Sequence, residues 1–135
     1  MNDNEISKKV IKSEEEWREE LPEDVFNIVR LKGTERPYTG RYDKLFEPGQ
    51  YRCRCCGSLL FDAGSKFNAG CGWPSFSAGY AENIEERHDS SWLMHRTEVV
   101  CGQCDAHLGH VFDDGPEPTG LRYCINSASL LFEES

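Results

Sequence analysis

Seven cysteines constrain this chain of 135 residues more than any other feature, and their spacing separates them into two groups. Cys53 and Cys56 form one C-x-x-C corner, and Cys101 and Cys104 form a second. A C-x-x-C turn supplies two sulfurs to a tetrahedral metal ion. The spacing therefore predicts a metal site made of these four thiolates.

The predicted metal is zinc, although four sulfurs also suit iron. The corners are separated by residues 57–100, a stretch longer than the roughly 15–20 residues of a compact zinc ribbon. We therefore expect a structural ion that joins two distant hairpins. Cys55 is ambiguous because it lies only two residues from Cys53. The alternative is that these cysteines are buried apolar side chains or, in an oxidising compartment, two disulfides.

Composition excludes several classes of protein. The formal net charge of -9 opposes a general binder of nucleic-acid backbones, which needs a basic surface. No apolar run approaches the roughly 20 residues of a membrane span, and the acidic start of the chain does not resemble a secretory signal. We therefore expect a cytoplasmic protein, and we expect it to be a monomer. In the cytoplasm, C-x-x-C pairs indicate metal binding or catalysis.

The chain is expected to form one domain over residues 13–135, after a disordered polar tail over residues 1–12. A helical lead-in is predicted for residues 13–37 and a β body for residues 38–135. Ser13 and Glu16 fit a capping box for a helix that stops before Pro22. A second helix is predicted over Glu23–Arg30, with Gly33 ending it.

Six segments have the β-branched, aromatic or alternating content of strands. They are residues 51–54, 59–61, 93–101, 107–112, 122–125 and 129–132. Residues 113–120 are rich in Gly, Pro and Asp and are predicted to form a loop. The body is therefore predicted to be antiparallel β structure.

Cys124 lies in an alternating segment that favours a strand. Period-2 geometry places Arg122, Cys124 and Asn126 on one face, with Tyr123 and Ile125 facing the core. The nearby guanidinium is expected to lower the pKa of the thiol, and the carboxamide to orient a polar substrate group. The alternative is an ordinary strand cysteine beside a surface arginine.

Cys71 lies between Gly70 and Gly72, which give its backbone the freedom that a moving thiol needs. Trp73 follows two residues later, and its indole face is a good seat for a methyl group next to sulfur. The alternative is that Trp73 and Phe76 are both core aromatics, an interpretation that suits Phe76 better.

His107 and His110 lie in a predicted strand, which would direct them to opposite faces, so that at most one reaches Cys124. A histidine with a pKa near neutrality can donate a proton to a departing oxygen. A histidine that holds a loop carbonyl is the alternative, and it suits His107 better than His110.

Four strings of residues carry a resemblance to a known family. They are GCGWPSF (70–76), RTEV (96–99), HLGHVFDDGP (107–116) and GLRYCINSASL (120–130). Over residues 34–130 the chain resembles the B-type peptide methionine sulfoxide reductases. The resemblance implies a mainly β fold of two antiparallel sheets, β-tent-like, with short N-terminal helices and a structural four-cysteine zinc site opposite the active site.

The resemblance also implies the roles of the site residues. Cys124 would be the nucleophile and become a sulfenic acid, Cys71 the recycling thiol that forms a disulfide with it, and Trp73 the wall for the substrate methyl group. The further residues expected around the sulfoxide or in support of the site are His107, His110, Phe112, Asp114, Arg122 and Asn126. The implied activity is reduction of methionine-R-sulfoxide in oxidised peptides and proteins, with thioredoxin as reductant.

The sequence departs from the family at two positions, and three other classes of protein are weaker alternatives. Cys55 is an extra thiol in the first corner, and Asp105 replaces a glycine common in such knuckles. A zinc-dependent binding module could use the same fold, but it would not need Cys124 together with Cys71 and Trp73. A zinc-ribbon nucleic-acid binder conflicts with the charge, and a zinc deaminase would need an H-x-E with P-C-x-x-C, which the sequence lacks.

Overall fold

A computed structural model describes residues 12–90 and 94–134. The predicted tail therefore lies outside the described residues except for Lys12, whose ammonium group lies 2.6 Å from the Glu20 carboxylate. Among the described residues, no helix is long and apolar enough to cross a membrane.

Two short helices open the domain, as the sequence predicts. Helix α1 spans Glu14–Glu20 and begins with the expected capping box, in which the Ser13 hydroxyl accepts from the Glu16 amide at 3.2 Å. Helix α2 spans Glu23–Val29 and ends before Gly33, the residue predicted to terminate it. The left-handed residue that follows α2 is Lys32, with φ of 61°, so Gly33 does not supply the positive φ of a terminating glycine.

The first sheet has three antiparallel strands in the order β2-β1-β9. Its strands are β1 (Gly49–Cys53), β2 (Leu59–Asp62) and β9 (Leu130–Glu134). The chain therefore closes this sheet with its last strand, which lies beside β1 and fixes the C-terminal segment to the domain.

The second sheet has six antiparallel strands in the order β3-β4-β8-β7-β6-β5. Its strands are β3 (Lys66–Phe67), β4 (Ser75–Phe76), β5 (Ile84–Asp89), β6 (Arg96–Cys101), β7 (His107–Phe112) and β8 (Arg122–Ile125). The predicted mainly β fold of two antiparallel sheets is confirmed.

Three strands were not predicted. The predicted strand over residues 93–101 corresponds to β6, which begins at Arg96, and residue 93 lies outside the described residues. Strands β3 and β4 have two residues each, too few to show alternation. Strand β5 is an edge strand whose side chains are mostly exposed and charged. Charged edges prevent unwanted pairing between sheets, so the sequence of β5 does not show the pattern of a half-buried strand.

The core includes a cluster of aromatic side chains where the two sheets meet. Phe61 of β2 stacks on Phe76 of β4 at a centroid distance of 4.4 Å, and it also meets Tyr123 of β8. Tyr51 of β1 contacts Phe76 edge-on at 5.1 Å. Phe76 is fully buried, which confirms its assignment to the core. These contacts fix the positions of β8, which contains Cys124, and of β4, which follows Cys71 in the chain.

Candidate active site and metal centre

The four paired cysteines come together at the ends of two hairpins. Cys53 ends β1 and Cys101 ends β6, while Cys56 and Cys104 lie in the turns that follow. Their Sγ atoms all lie within 4.8 Å of one another. The pairs Cys53–Cys104 and Cys56–Cys101 are each 3.6 Å apart. This site therefore joins the three-stranded sheet to the six-stranded sheet.

The donor set fits a zinc ion. A tetrahedron of sulfurs about 2.3 Å from zinc has edges of roughly 3.8 Å, close to the observed separations. The residue after the second sulfur of each corner has positive φ, 81° at Gly57 and 65° at Asp105. Cys55 is not among the four clustered thiols. Four sulfurs fill a tetrahedral shell, which favours a structural ion over a catalytic one.

Arg30, which follows α2, ties the helices to the metal centre. Its guanidinium donates to the Cys104 carbonyl at 2.7 Å and lies 3.8 Å from the Cys104 sulfur. The same group lies over the Trp17 ring of α1, 4.6 Å from its centroid. A positive charge beside thiolates would offset part of the negative charge of a four-thiolate site.

Cys71 and Cys124 form the second group of thiols. Cys124 lies in β8 opposite Ser75 of β4, and Cys71 lies in the loop that leads into β4. Their Sγ atoms are 3.8 Å apart. Neither belongs to the clustered metal-site thiols. A disulfide has a sulfur–sulfur distance of about 2.05 Å, so a movement of roughly 2 Å would join them.

The expected low pKa of Cys124 is wrong for this structure. Burial and the neighbouring Cys71 together raise the pKa of Cys124 to about 12, against the lowering effect of Arg122. For Cys71, burial raises the pKa, but the Ser75 hydroxyl, Cys124 and Arg122 together shift it below its ordinary value. Of the two thiols, Cys71 is therefore the one whose thiolate form its surroundings favour.

Both thiols open into a cavity of about 270 Å³. The lining residues are Thr34, Cys71, Trp73, Arg96, Gly109, His110, Phe112, Arg122, Cys124, Ile125 and Asn126. The indole and phenyl rings supply apolar walls, and the imidazole, guanidinium and carboxamide groups supply polar ones. This combination suits a small ligand that is apolar on one side and carries a polar atom on the other.

Glu35 holds two residues of the cavity lining, Trp73 and Asn126. Its main-chain carbonyl accepts from the Trp73 indole N–H at 3.0 Å, and its amide donates to the Asn126 side-chain oxygen at 3.0 Å. Its carboxylate accepts from the amides of Ser127 and Ala128 at 2.8 and 3.0 Å. Burial raises the pKa of Glu35, against these amide hydrogen bonds, which lower it. The Glu35 side chain thus fixes the segment that follows β8.

His110 lies in β7 directly opposite Cys124 in the β7–β8 register. Its Nε2 lies 2.8 Å from the Asp89 carboxylate at the end of β5. Arg96 of β6 lies 3.3 Å from the same carboxylate. The imidazole is therefore held beside the thiol by a carboxylate, which is the arrangement that orients a proton-transferring histidine.

His107 occupies a different environment from the one that strand alternation predicts. Its ring centroid lies 5.7 Å from that of His110, so the two rings are not on opposite faces. The reason is a bulge: Val99 pairs with Gly109 but Val100 pairs with His107, which inserts one extra residue in β7. His107 does not line the cavity and is buried against Glu98, 2.7 Å away.

Arg122 is held in place by its partners on the rim of the cavity. Its Nε donates to Asp114 at 2.8 Å, and a terminal nitrogen donates to the other oxygen at 3.2 Å. Its guanidinium lies over the Phe112 ring at 4.5 Å. Asp114 is exposed and does not line the cavity, so it orients Arg122 rather than facing a ligand.

Sequence reasoning gave no role to Thr34, Glu35, Asp89 or Arg96. Arg96 lies in one of the four strings that carry the family resemblance, and Thr34 and Glu35 begin the stretch of residues 34–130 over which the chain resembles the family. Nothing in the sequence singled out Asp89, because it belongs to the unpredicted β5 and lies 21 residues from His110.

The arrangement of the thiols defines a class of protein. Two neighbouring thiols share a cavity with polar and apolar walls, and a separate four-thiol site joins the two sheets of the β domain. This is the arrangement of a thiol-dependent oxidoreductase. The comparisons with known proteins agree. The SelR domain model matches residues 21–134.

Relatives from several bacteria are named peptide methionine sulfoxide reductase MsrB. The one from Cellvibrio japonicus is 61% identical over 118 residues, covering 87% of this chain and 84% of the relative. The one from Hahella chejuensis is 56% identical over 128 residues, covering 94% and 92%. One from Pseudomonas aeruginosa is 58% identical over 123 residues, covering 90% and 93%. The chain belongs to this family, the peptide methionine sulfoxide reductases MsrB.

Proposed function

We propose that the chain reduces methionine-R-sulfoxide in oxidised peptides and proteins, with Cys124 as nucleophile and Cys71 as recycling thiol. The observation that carries the proposal is the 3.8 Å separation of these two sulfurs inside a cavity walled by Trp73. The preference for the R epimer follows from the resemblance of the sequence to the B-type enzymes. Repair of oxidised proteins would be the physiological outcome.

The substrate would bind with its sulfoxide methyl group against the indole of Trp73. Its oxygen would point toward the polar side of the cavity, where His110, Arg122 and Asn126 provide hydrogen-bond donors. The Asn126 amide nitrogen donates to the Leu108 carbonyl at 3.1 Å, which fixes the carboxamide in this orientation. Phe112 and the Asp114–Arg122 pair would close the rim.

The first step would transfer the sulfoxide oxygen to the enzyme. The Cys124 sulfur attacks the sulfoxide sulfur, and the substrate leaves as methionine while Cys124 becomes a sulfenic acid. The substrate sulfur gains two electrons and the cysteine sulfur loses two. Because burial keeps Cys124 protonated at neutral pH, its proton must leave as the attack occurs, and it ends on the transferred oxygen. His110 would relay this proton from Cys124 to the oxygen through water.

The second step would regenerate the enzyme. The Cys71 sulfur attacks the sulfenic sulfur of Cys124, a disulfide forms, the sulfur–oxygen bond breaks and the oxygen leaves as water with the Cys71 proton. The lowered pKa of Cys71 favours this role, since a thiolate is the attacking species. Thioredoxin would then reduce the disulfide with its own dithiol.

The metal would be zinc, held by Cys53, Cys56, Cys101 and Cys104. It would supply no chemistry to the reaction, because four thiolates leave it no open position. Its role would be to keep β1 and β6 together at the junction of the two sheets. We also propose that the protein acts as a monomer in the cytoplasm, where thioredoxin keeps thiols reduced.

The experiment that tests this function supplies the two sulfoxide epimers of a methionine peptide separately, with dithiothreitol as reductant. We expect consumption of the R epimer only, and no consumption by Cys124→Ser. Consumption of the S epimer alone, or full activity of Cys124→Ser, would refute the assignment. The matched control is Cys55→Ser, which removes a thiol that is neither in the cavity nor among the clustered thiols.

A further inference from the structure

The loop that carries Cys71 is held from outside the cavity by one exposed residue, Tyr38. The Tyr38 hydroxyl donates to the Gly70 carbonyl at 2.7 Å, and the Tyr38 amide donates to the Gly72 carbonyl at 2.7 Å. These two carbonyls belong to the residues on either side of Cys71. One residue therefore fixes both ends of the segment that presents the thiol.

The backbone conformations of Tyr38 and Gly72 allow these two segments to lie in close contact. Tyr38 has φ of 67°, a left-handed backbone conformation that residues other than glycine rarely adopt. Gly72 has φ of 94°, and a Cβ there would lie 2.5 Å from the Cβ of Pro37. The two segments thus approach more closely than a side chain at position 72 would allow. Thr39 donates to the Arg36 carbonyl at 2.6 Å and stabilises the turn that contains Tyr38.

Without such contacts the loop would have considerable freedom, because glycines flank Cys71 on both sides and both have positive φ. A freely moving thiol spends little time near its partner, so disulfide formation would be slow. Holding the carbonyls on both sides of Cys71 keeps its sulfur near Cys124 and leaves only a short side-chain movement to complete the bond.

We infer that Tyr38 is a positioning residue for the recycling step, and that its hydroxyl accelerates the attack of Cys71 on the oxidised Cys124. This inference rests on the proposed function. Tyr38 does not line the cavity and so does not take part in the formation of methionine. Its effect is confined to the reaction in which the sulfur–sulfur bond forms and water leaves.

The test is a competition for the sulfenic acid of Cys124. Enzyme is mixed with one equivalent of a methionine-R-sulfoxide peptide and a fixed excess of dimedone, which alkylates sulfenic acids. Mass spectrometry then gives the ratio of dimedone adduct to Cys71–Cys124 disulfide. Tyr38→Phe removes one hydroxyl from a side chain that is 61% exposed, so the fold is retained. Tyr80→Phe is the matched control, because its hydroxyl contacts Gln50 of β1 instead.

For Tyr38→Phe we expect the adduct-to-disulfide ratio to rise about three- to tenfold, the effect of one lost hydrogen bond. Methionine yield and its rate of formation should equal those of the wild type, and Tyr80→Phe should leave the ratio unchanged. An unchanged ratio in Tyr38→Phe, or an equal loss in both steps, would overturn the inference. Cys71→Ser should give adduct only; absence of any adduct in that variant would instead refute the sulfenic acid of the proposed function.

Discussion

The indole nitrogen of Trp73 donates a hydrogen bond of 3.0 Å to the main-chain carbonyl of Glu35, a residue 38 positions earlier in the chain. The Glu35 amide also donates to Asn126, and the carboxylate is held by two amides after β8. A residue that does not line the cavity therefore holds two of its walls.

Glu35→Gln should weaken substrate binding. The carboxamide offers one acceptor oxygen instead of two, so one buried amide loses its partner, at a cost of about 1–3 kcal/mol. We expect kcat/KM to fall about tenfold, mainly through KM, because the lost side-chain contact loosens the Glu35 main chain, which holds Trp73 and Asn126, from the segment after β8. Steady-state kinetics measures the change, and Glu47→Gln, at an exposed carboxylate, is the control. An unchanged KM would contradict this role of Glu35.

The thiols of the cavity should react in a defined order with iodoacetamide. Because the pKa of Cys71 is lowered and that of Cys124 is raised to about 12, we expect alkylation of Cys71 first at neutral pH. In Cys71→Ser the repulsion from the neighbouring sulfur is lost, so the pKa of Cys124 should fall. Peptide mapping across a pH series measures both effects. Faster alkylation of Cys124 than of Cys71 in the wild type would disagree with this electrostatic picture.

The four-cysteine site should be required for the junction of the two sheets. Cys101→Ser removes a fully buried ligand and should abolish binding of one metal equivalent, forfeiting much of a binding free energy on the order of 10 kcal/mol. Cys55→Ser should retain one equivalent of zinc. Elemental analysis and thermal unfolding measure the two variants. If Cys55→Ser lost the metal and Cys101→Ser kept it, Cys55 and not Cys101 would be the metal ligand.

His107 should titrate below the ordinary histidine range. Burial lowers its pKa from 6.5, against the raising effect of Glu98. The unfolded chain therefore binds more protons than the folded protein below pH 6.5, so this group reduces stability as the pH falls from 6.5 toward its folded pKa. Ring-proton NMR measures the titration midpoint, with His107→Gln to assign the signal. A midpoint at or above 6.5 would contradict this prediction, because the raising effect of Glu98 on the pKa would then equal or exceed the lowering effect of burial.

Much of the site could be predicted from local sequence, because spacing and alternation determine which side chains share a turn or a face. The C-x-x-C corners and the face that carries Arg122, Cys124 and Asn126 are of this kind. The pKa of Cys124 could not be predicted, because it depends on burial and on Cys71, a residue 53 positions away.

The same reason explains the residues that were missed. Asp89 reaches His110 only because β5 adds to the edge of the sheet, and β5 has no strand pattern of its own. The bulge in β7 that brings His107 beside His110 depends on the pairing of β6 with β7. Glu35 acts partly through main-chain atoms, which its identity does not reveal.

The central claim is that the sulfurs of Cys71 and Cys124 bond to each other as methionine is formed. The most direct measurement supplies one equivalent of methionine-R-sulfoxide peptide without reductant, counts free thiols and maps the disulfide by mass spectrometry. The account predicts one methionine per enzyme, the loss of two thiols and a peptide that joins position 71 to position 124. Methionine formation with all thiols intact, or a disulfide that involves Cys55 instead, would contradict it.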